Sequence, residues 1–110
     1  MRVVPIPEIS VEDLAERLGN GAVVIDVRQP DEFETGHVPG ALLVPLHEVP
    51  ARIDELPRDS EVLLICRSGS RSRMAAEFLL AHGVSAVNVA GGTLAWISSG
   101  RAVVPGLEPS

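Results

Sequence analysis

Short apolar runs separated by segments of different periodicity do most to restrict what this chain can fold into. Ala22–Val27, Ala41–Val44, Glu61–Ile65 and Ser85–Ala90 each have the length of a strand, and Asp26 alone breaks the first. A strand wet on one face would alternate polar and apolar residues. A nearly continuous apolar run fits a strand covered on both faces, as in a parallel sheet. Helical spacing fills the gaps. Ser10 reads as an N-cap with Glu12 and Asp13 in the first turn, and Val11, Leu14, Ala15 and Leu18 share a face. Gly19 ends that helix. Pro30–Glu34 reads as a short helix opened by proline and acids. Leu46, Val49, Ile53 and Leu56 keep helical spacing, with Pro50 in a first turn or at a break. Met74, Ala75, Phe78 and Leu79 predict a helix over 72–82, closed by Gly83. Gly91-Gly92 opens a last short helix containing Leu94, Trp96 and Ile97. A short edge strand is expected around Val3–Ile6. From Ser98 on, the Pro/Gly-rich chain is expected to lie on the surface. Strands alternating with helices predict an α/β fold with a mainly parallel sheet. Right-handed crossovers place helices on both faces.

The 110 residues suit one domain over 1–110, with a core of about 8–100 and a tail of 101–110. Aromatics make up only 3%, so the core must be built from Val, Leu, Ile and Ala. No apolar run approaches the ~18 residues of a membrane span. The N-terminus lacks the apolar stretch of a signal peptide. A soluble cytoplasmic protein, monomeric or weakly dimeric, is expected. The net charge of -6 argues against nucleic acid as a partner, because such binding needs a basic footprint. Against that background Arg67, Arg71 and Arg73 stand together with no acid among them. A local cationic site on an acidic protein suits a small anion; its plain alternative is a solvated helix start. The single cysteine forbids an intrachain disulfide, and His37, His47 and His82 are too scattered for zinc spacing. No metal is expected.

That cysteine ends the apolar run Val62–Ile65 and opens the loop Cys66-Arg67-Ser68-Gly69-Ser70-Arg71-Ser72. A thiol acts as a nucleophile only as its thiolate. The positive end of the following helix, loop amides around Gly69 and the cations Arg67 and Arg71 would all favour that charge. The same groups would bind the oxyanion part of a substrate. Gly69 lets backbone approach an anion without a Cβ in the way. Ser68, Ser70 and Ser72 can donate to oxygens or cap the helix. The plain alternative is a buried, inert cysteine. Loop length separates the possible chemistries. Cysteine phosphatases typically place five residues between Cys and Arg, enough to surround a phosphate. Here four residues separate Cys66 from Arg71. The tighter loop better suits attack on a sulfur atom projecting from its oxyanion.

Three motifs carry a family resemblance. Val24–Phe33 with Gly36–Ala41, the loop Cys66–Ser72, and Gly91-Gly92 followed by Trp96 occur in the order and spacing of the rhodanese (thiosulfate sulfurtransferase) homology domain. The chain resembles that domain over roughly Glu8–Gly100. The resemblance implies a five-stranded, mainly parallel sheet with flanking helices. It also implies a ping-pong reaction through a Cys66 persulfide, with no metal or organic cofactor. Arg67, Ser68, Gly69, Ser70, Arg71 and Ser72 would form the substrate cradle. The donor would be a small sulfur-containing anion, and Arg67 tilts the choice toward thiosulfate. The acceptor would be cyanide, a thiol or a protein. Asp26 and Arg28 match signature positions as structural residues, with Arg28 placed to pair with Glu32. His37 is expected to fix its loop by hydrogen bonding, and Trp96 to lie in the core. Ile65 departs from the aromatic residue that often precedes the cysteine. With no second rhodanese half, the site is expected to be open on one side, which favours large or protein acceptors. Two other functions stay open: a persulfide-carrying module with little turnover, and a cysteine phosphatase or arsenate reductase.

Overall fold

The computed structural model describes residues 5–110. Five strands form one sheet in the order β1 (Glu8–Ile9), β5 (Ala86–Val89), β4 (Val62–Ile65), β2 (Val23–Asp26), β3 (Leu42–Leu43). All of these pairings are parallel. The helices are α1 (Val11–Leu18), α2 (Pro30–Thr35), α3 (Ser70–Ala81) and α4 (Gly92–Ser98). The expected edge strand falls at Glu8–Ile9 instead of Val3–Ile6. Pro5 and Ile6 are outside it, and Val3 and Val4 lie outside the described residues.

The pleat sorts the core into two layers. Ile25, Val62 and Leu64 face α3, where Ala75, Ala76 and Leu79 close over them. Val24, Leu63 and Ile65 face the other way, onto Leu14 of α1, Phe33 of α2 and Trp96 of α4. Every residue of β4 is buried, which is why its sequence shows no alternation. Each fully buried Leu or Ile contributes about 1.5–3 kcal/mol over an exposed one.

The stretch with helical spacing from Leu46 to Leu56 does not form one helix. It folds as two 3-10 turns, Leu46–Glu48 and Ile53–Glu55. Pro50 has no N–H to give the Leu46 carbonyl, which accepts from the Val49 amide instead. The apolar positions still reach the core, since Val49 and Leu56 are buried. Helix α3 begins at Ser70, two residues before the predicted start. Gly69 takes φ 109° as its N-cap, and no side chain caps it. The loop serines therefore do not cap this helix.

Connectivity fixes where a site can form. From β2 the chain crosses through α2 to β3, on one side of the sheet. From β4 it crosses through α3 to β5, on the other side. The carboxyl ends of β2 and β4 are thus a topological switch point, where the loops that follow diverge and leave a crevice. Cys66 follows β4 at that point, and Arg28 follows β2.

Candidate functional site

Residues 66–69 turn tightly between β4 and α3. The Cys66 Sγ accepts from the Gly69 amide at 3.1 Å, and the Ser72 hydroxyl lies 3.3 Å away. Burial pushes the Cys66 thiol up. The Ser72 hydroxyl, when it turns its proton to the sulfur, and the amides of Ser72, Gly69 and Ser68 pull it down, and the downward pull wins. The residue is only 1% exposed, so the sulfur sits at the bottom of its loop. Negative charge there meets donors already in place.

The loop is held from below by α4. The Thr93 amide and hydroxyl both donate to the Cys66 carbonyl, at 2.8 and 3.0 Å, and the Leu94 amide donates to the Arg67 carbonyl at 3.0 Å. This approach requires Gly92. At its φ of +60°, a Cβ would stand 2.5 Å from the Cys66 carbonyl oxygen and 2.6 Å from that of Arg67. The Gly91-Gly92 pair thus presses the end of the sheet and the loop together.

The structure divides the loop cations. Arg67 is exposed and lines a cleft of about 370 Å³ with Arg28, Glu32, Thr93, Leu94 and Val103. Arg71 gives both guanidinium nitrogens to the Glu32 carboxylate, at 2.7 and 2.8 Å. That hydrogen-bonded pair holds the Glu32 carboxyl down to about 2 and raises Arg71. Arg73 points away, to Glu8 at 3.3 Å. Ser68 and Ser70 are exposed, whereas Gly69 and Ser72 are buried. Among the described residues, no three His, Cys, Asp or Glu side chains gather to hold a metal ion.

Arg28 does not pair with Glu32. Its guanidinium doubles back onto Asp26, at 2.9 to 3.1 Å, and donates to the Gly36 carbonyl at 2.9 Å. The Arg28 amide also donates to Asp26. Both side chains are buried, and this pairing within two residues ties the end of β2 to the next loop. His37 is a buried loop-fixing residue: its ring nitrogens lie 3.0 Å from the Phe33 carbonyl and 3.1 Å from that of Pro109. Trp96 is in the core.

Two residues near the sulfur lie outside the motifs that the sequence singles out. Asn88, buried in β5, receives the Ser72 hydroxyl at 2.6 Å and donates to Glu8 and to the Gly69 carbonyl. Thr93 holds the loop backbone. A buried Asn amid Ala86, Val87 and Val89 was the one available clue, since an apolar strand admits a polar side chain only with partners.

Fold and loop together define an α/β protein that presents one thiol, ringed by donors, at a switch point of a parallel sheet. Comparison with known proteins narrows that class. The chain belongs to the rhodanese-like domain family, whose model matches residues 10–99. It is 38% identical to a sulfurtransferase of Allochromatium vinosum, over 90% of this chain and 95% of that protein. It is 35% identical to a thiosulfate sulfurtransferase of Pseudomonas syringae, over 83% of this chain and 84% of that one. A rhodanese-related protein from Thermoplasma volcanium superposes with a TM-score of 0.85 at 36% identity, covering 93% of this chain and 99% of the other. The family is one of sulfurtransferases. No helix among the described residues is long and apolar enough to cross a membrane.

Proposed function

We propose that this protein is a thiosulfate sulfurtransferase that works through a persulfide on Cys66. One observation carries the reading. A single buried thiol receives an amide and faces a hydroxyl inside a loop with four residues between Cys66 and Arg71, beside a cleft lined by an exposed cation, Arg67. In the first half-reaction the Cys66 thiolate attacks the outer sulfur of thiosulfate. The S–S bond of thiosulfate breaks, sulfite leaves with the electron pair, and the negative charge moves to the terminal sulfur of the persulfide. In the second, cyanide or a thiolate, free or on a protein, attacks that terminal sulfur. The Cys66 thiolate returns, and thiocyanate or a new persulfide leaves. Splitting one transfer into two steps is the gain from covalent catalysis. The loop amides meet the charge in both states. Arg67 holds the sulfonate end of the donor in the cleft.

Incubation with thiosulfate followed by intact mass measurement should reveal one added sulfur, absent in Cys66→Ser. Cyanide should then remove it as thiocyanate. No adduct and no thiocyanate would overturn the reading. An adduct that neither cyanide nor small thiols discharge, but a protein acceptor does, would mark a persulfide carrier. Phosphate-ester turnover without sulfur transfer would revive the phosphatase.

A further inference from the structure

The Ser72 hydroxyl has two claimants and one proton. It lies 2.6 Å from Asn88 Oδ1 and 3.3 Å from Cys66 Sγ. A hydroxyl donates once and accepts through its lone pairs. The direction of the Asn88 amide is not free. Its NH₂ group faces two acceptors, the Glu8 carboxylate at 2.9 Å and the Gly69 carbonyl at 3.3 Å. Turning the amide over would set its oxygen against both. Oδ1 must therefore face Ser72, and at 2.6 Å it takes the hydroxyl proton. What Ser72 then offers the sulfur is a lone pair. That arrangement suits a thiol, whose S–H donates to Ser72 Oγ. A thiolate needs the hydroxyl to turn and donate to sulfur, which leaves Asn88 Oδ1, buried at 1% exposure, without a donor.

We infer that Asn88 is a positioning residue for sulfur transfer: by claiming the single Ser72 proton it favours the thiol form of Cys66, and it gives that proton up when charge forms on the sulfur. The thiol proton leaves to a solvent base, and the Ser72 O–H turns from Asn88 to Sγ. The sheet sets this up. Glu8 of β1 stands directly opposite Asn88 in the parallel register and aims its amide. The inference rests on Cys66 being the nucleophile proposed above, and it adds the residue that sets how readily the thiolate forms.

The charged groups around this chain are Arg67, exposed in the loop next to Cys66, Glu8, paired with Arg73, Arg71, paired with Glu32, and the Asp26–Arg28 pair at the end of β2. None changes in the variants below, so their fields act alike on all of them. With one cysteine and no tyrosine, the thiolate ultraviolet absorbance reports on Cys66 alone. Asn88→Leu frees the Ser72 proton for sulfur, and the thiolate should appear about one pH unit lower, a tenfold larger thiolate fraction at acidic pH. Ser72→Ala removes the intermediary, so adding Asn88→Leu to it should shift nothing further. A residue that merely packs would shift both backgrounds alike.

Kinetics give a second readout. Nucleophilicity falls with basicity with a slope of about 0.4–0.5. In Asn88→Leu, thiosulfate loading should therefore rise about threefold at acidic pH and fall about threefold on the alkaline plateau, so the two profiles cross. If Asn88→Leu does not fold, Asn88→Ala, which admits water to Glu8 and Gly69, carries the same expectation. An unmoved titration, or an equal shift in the Ser72→Ala background, overturns the inference. The titration needs no sulfur donor. A wild-type protein that takes up no sulfur yet shows the coupled shift refutes the proposed function and leaves standing only the control of the Cys66 proton by Asn88 through Ser72.

Discussion

Glu32 of α2 and Arg71 of α3 are joined by a two-pronged ion pair, and both side chains are about a quarter to a third exposed. The carboxyl is held near 2, against 4.5 when free. A carboxyl depressed in the folded state stabilises the fold above its unfolded value and loses that contribution as pH falls through its folded one. The relevant window is therefore about pH 4.5 down to 2. Melting temperature followed across that window should fall more steeply for the wild type than for Glu32→Gln. Parallel curves would show that the pair contributes nothing. The partly exposed position keeps the effect modest, since solvent screens it. The pair also explains why the two loop arginines are not equivalent. Arg71 has a partner that neutralises its charge, whereas Arg67, exposed at the cleft, has no ion-pair partner among the described residues. In Arg67→Ala, the KM for thiosulfate should rise about tenfold with kcat little changed, given ~1.5–3 kcal/mol for hydrogen bonds to charged groups and equal binding of ground and transition states. An unchanged KM would remove Arg67 from donor binding.

At the level of elements, the packing of α4 under the loop is the least forgiving contact near the site. Gly92→Ala would force φ +60° on an alanine and drive its Cβ into two backbone carbonyl oxygens that cannot step aside. Gly100 is the natural control, with φ +85° and nothing within 4 Å of where a Cβ would stand. Gly100→Ala should cost only the backbone term, about 1–3 kcal/mol. Gly92→Ala should cost clearly more in chemical unfolding, and should also reduce thiosulfate loading because the carbonyls of Cys66 and Arg67 move. Equal losses in the two variants would mean that the close approach is relaxed in solution. The four strands β2 to β5 and the order of elements were legible in the sequence because buried parallel strands leave continuous apolar runs, and Ser10, Gly19 and Gly83 punctuate them; the edge strand β1, two residues long and half polar, left no such run and was expected too early. The 3-10 turns were not legible, because Leu46, Val49, Ile53 and Leu56 keep helical spacing whatever the backbone between them does. At the site, Cys66 and its loop stood out through local pattern. Asn88 and Thr93 did not, because their partners come from a helix and a loop more than fifteen residues away. The choice of Asp26 over Glu32 as the partner of Arg28 turned on a side chain folding back, which spacing does not encode.

Across the whole molecule, the segment after α4 acts as a strap, and the surface tail expected from its composition is tied down along its length. Val104 and His37 exchange backbone hydrogen bonds in an antiparallel bridge, the Gly106 amide donates to the Glu34 carbonyl, and the Gly40 amide donates to the Pro109 carbonyl. Val103 packs on the layer that holds Phe33, Val38 and Ala41. It also lines the cleft, and a Cβ at Gly36 would meet it at 2.9 Å. The Gly36 carbonyl in turn holds Arg28, so the strap, the loop after β2 and the cleft wall are mechanically joined. Among the described residues, no hydrogen bond of this strap reaches the sulfur, which is held by the Gly69 amide and faces the Ser72 hydroxyl, while α4 holds the loop through the carbonyls of Cys66 and Arg67. Cutting the chain after Ala102 should therefore separate stability from chemistry. Each of the lost backbone hydrogen bonds contributes about 0.5–1.5 kcal/mol, offset by the entropy regained, so a loss of about 2 kcal/mol or on the order of 10 °C in Tm is expected. Hydrogen exchange should speed up at the His37 and Gly40 amides and stay slow at Leu64 and Val87 in the sheet. Sulfur loading of Cys66 well below the melting point should survive, with a higher KM as the cleft loses the wall at Val103. Loss of loading in a truncated protein that still shows protected β4 amides would mean that the strap acts on the thiol itself, through the chain from Gly36 to Arg28 and Asp26.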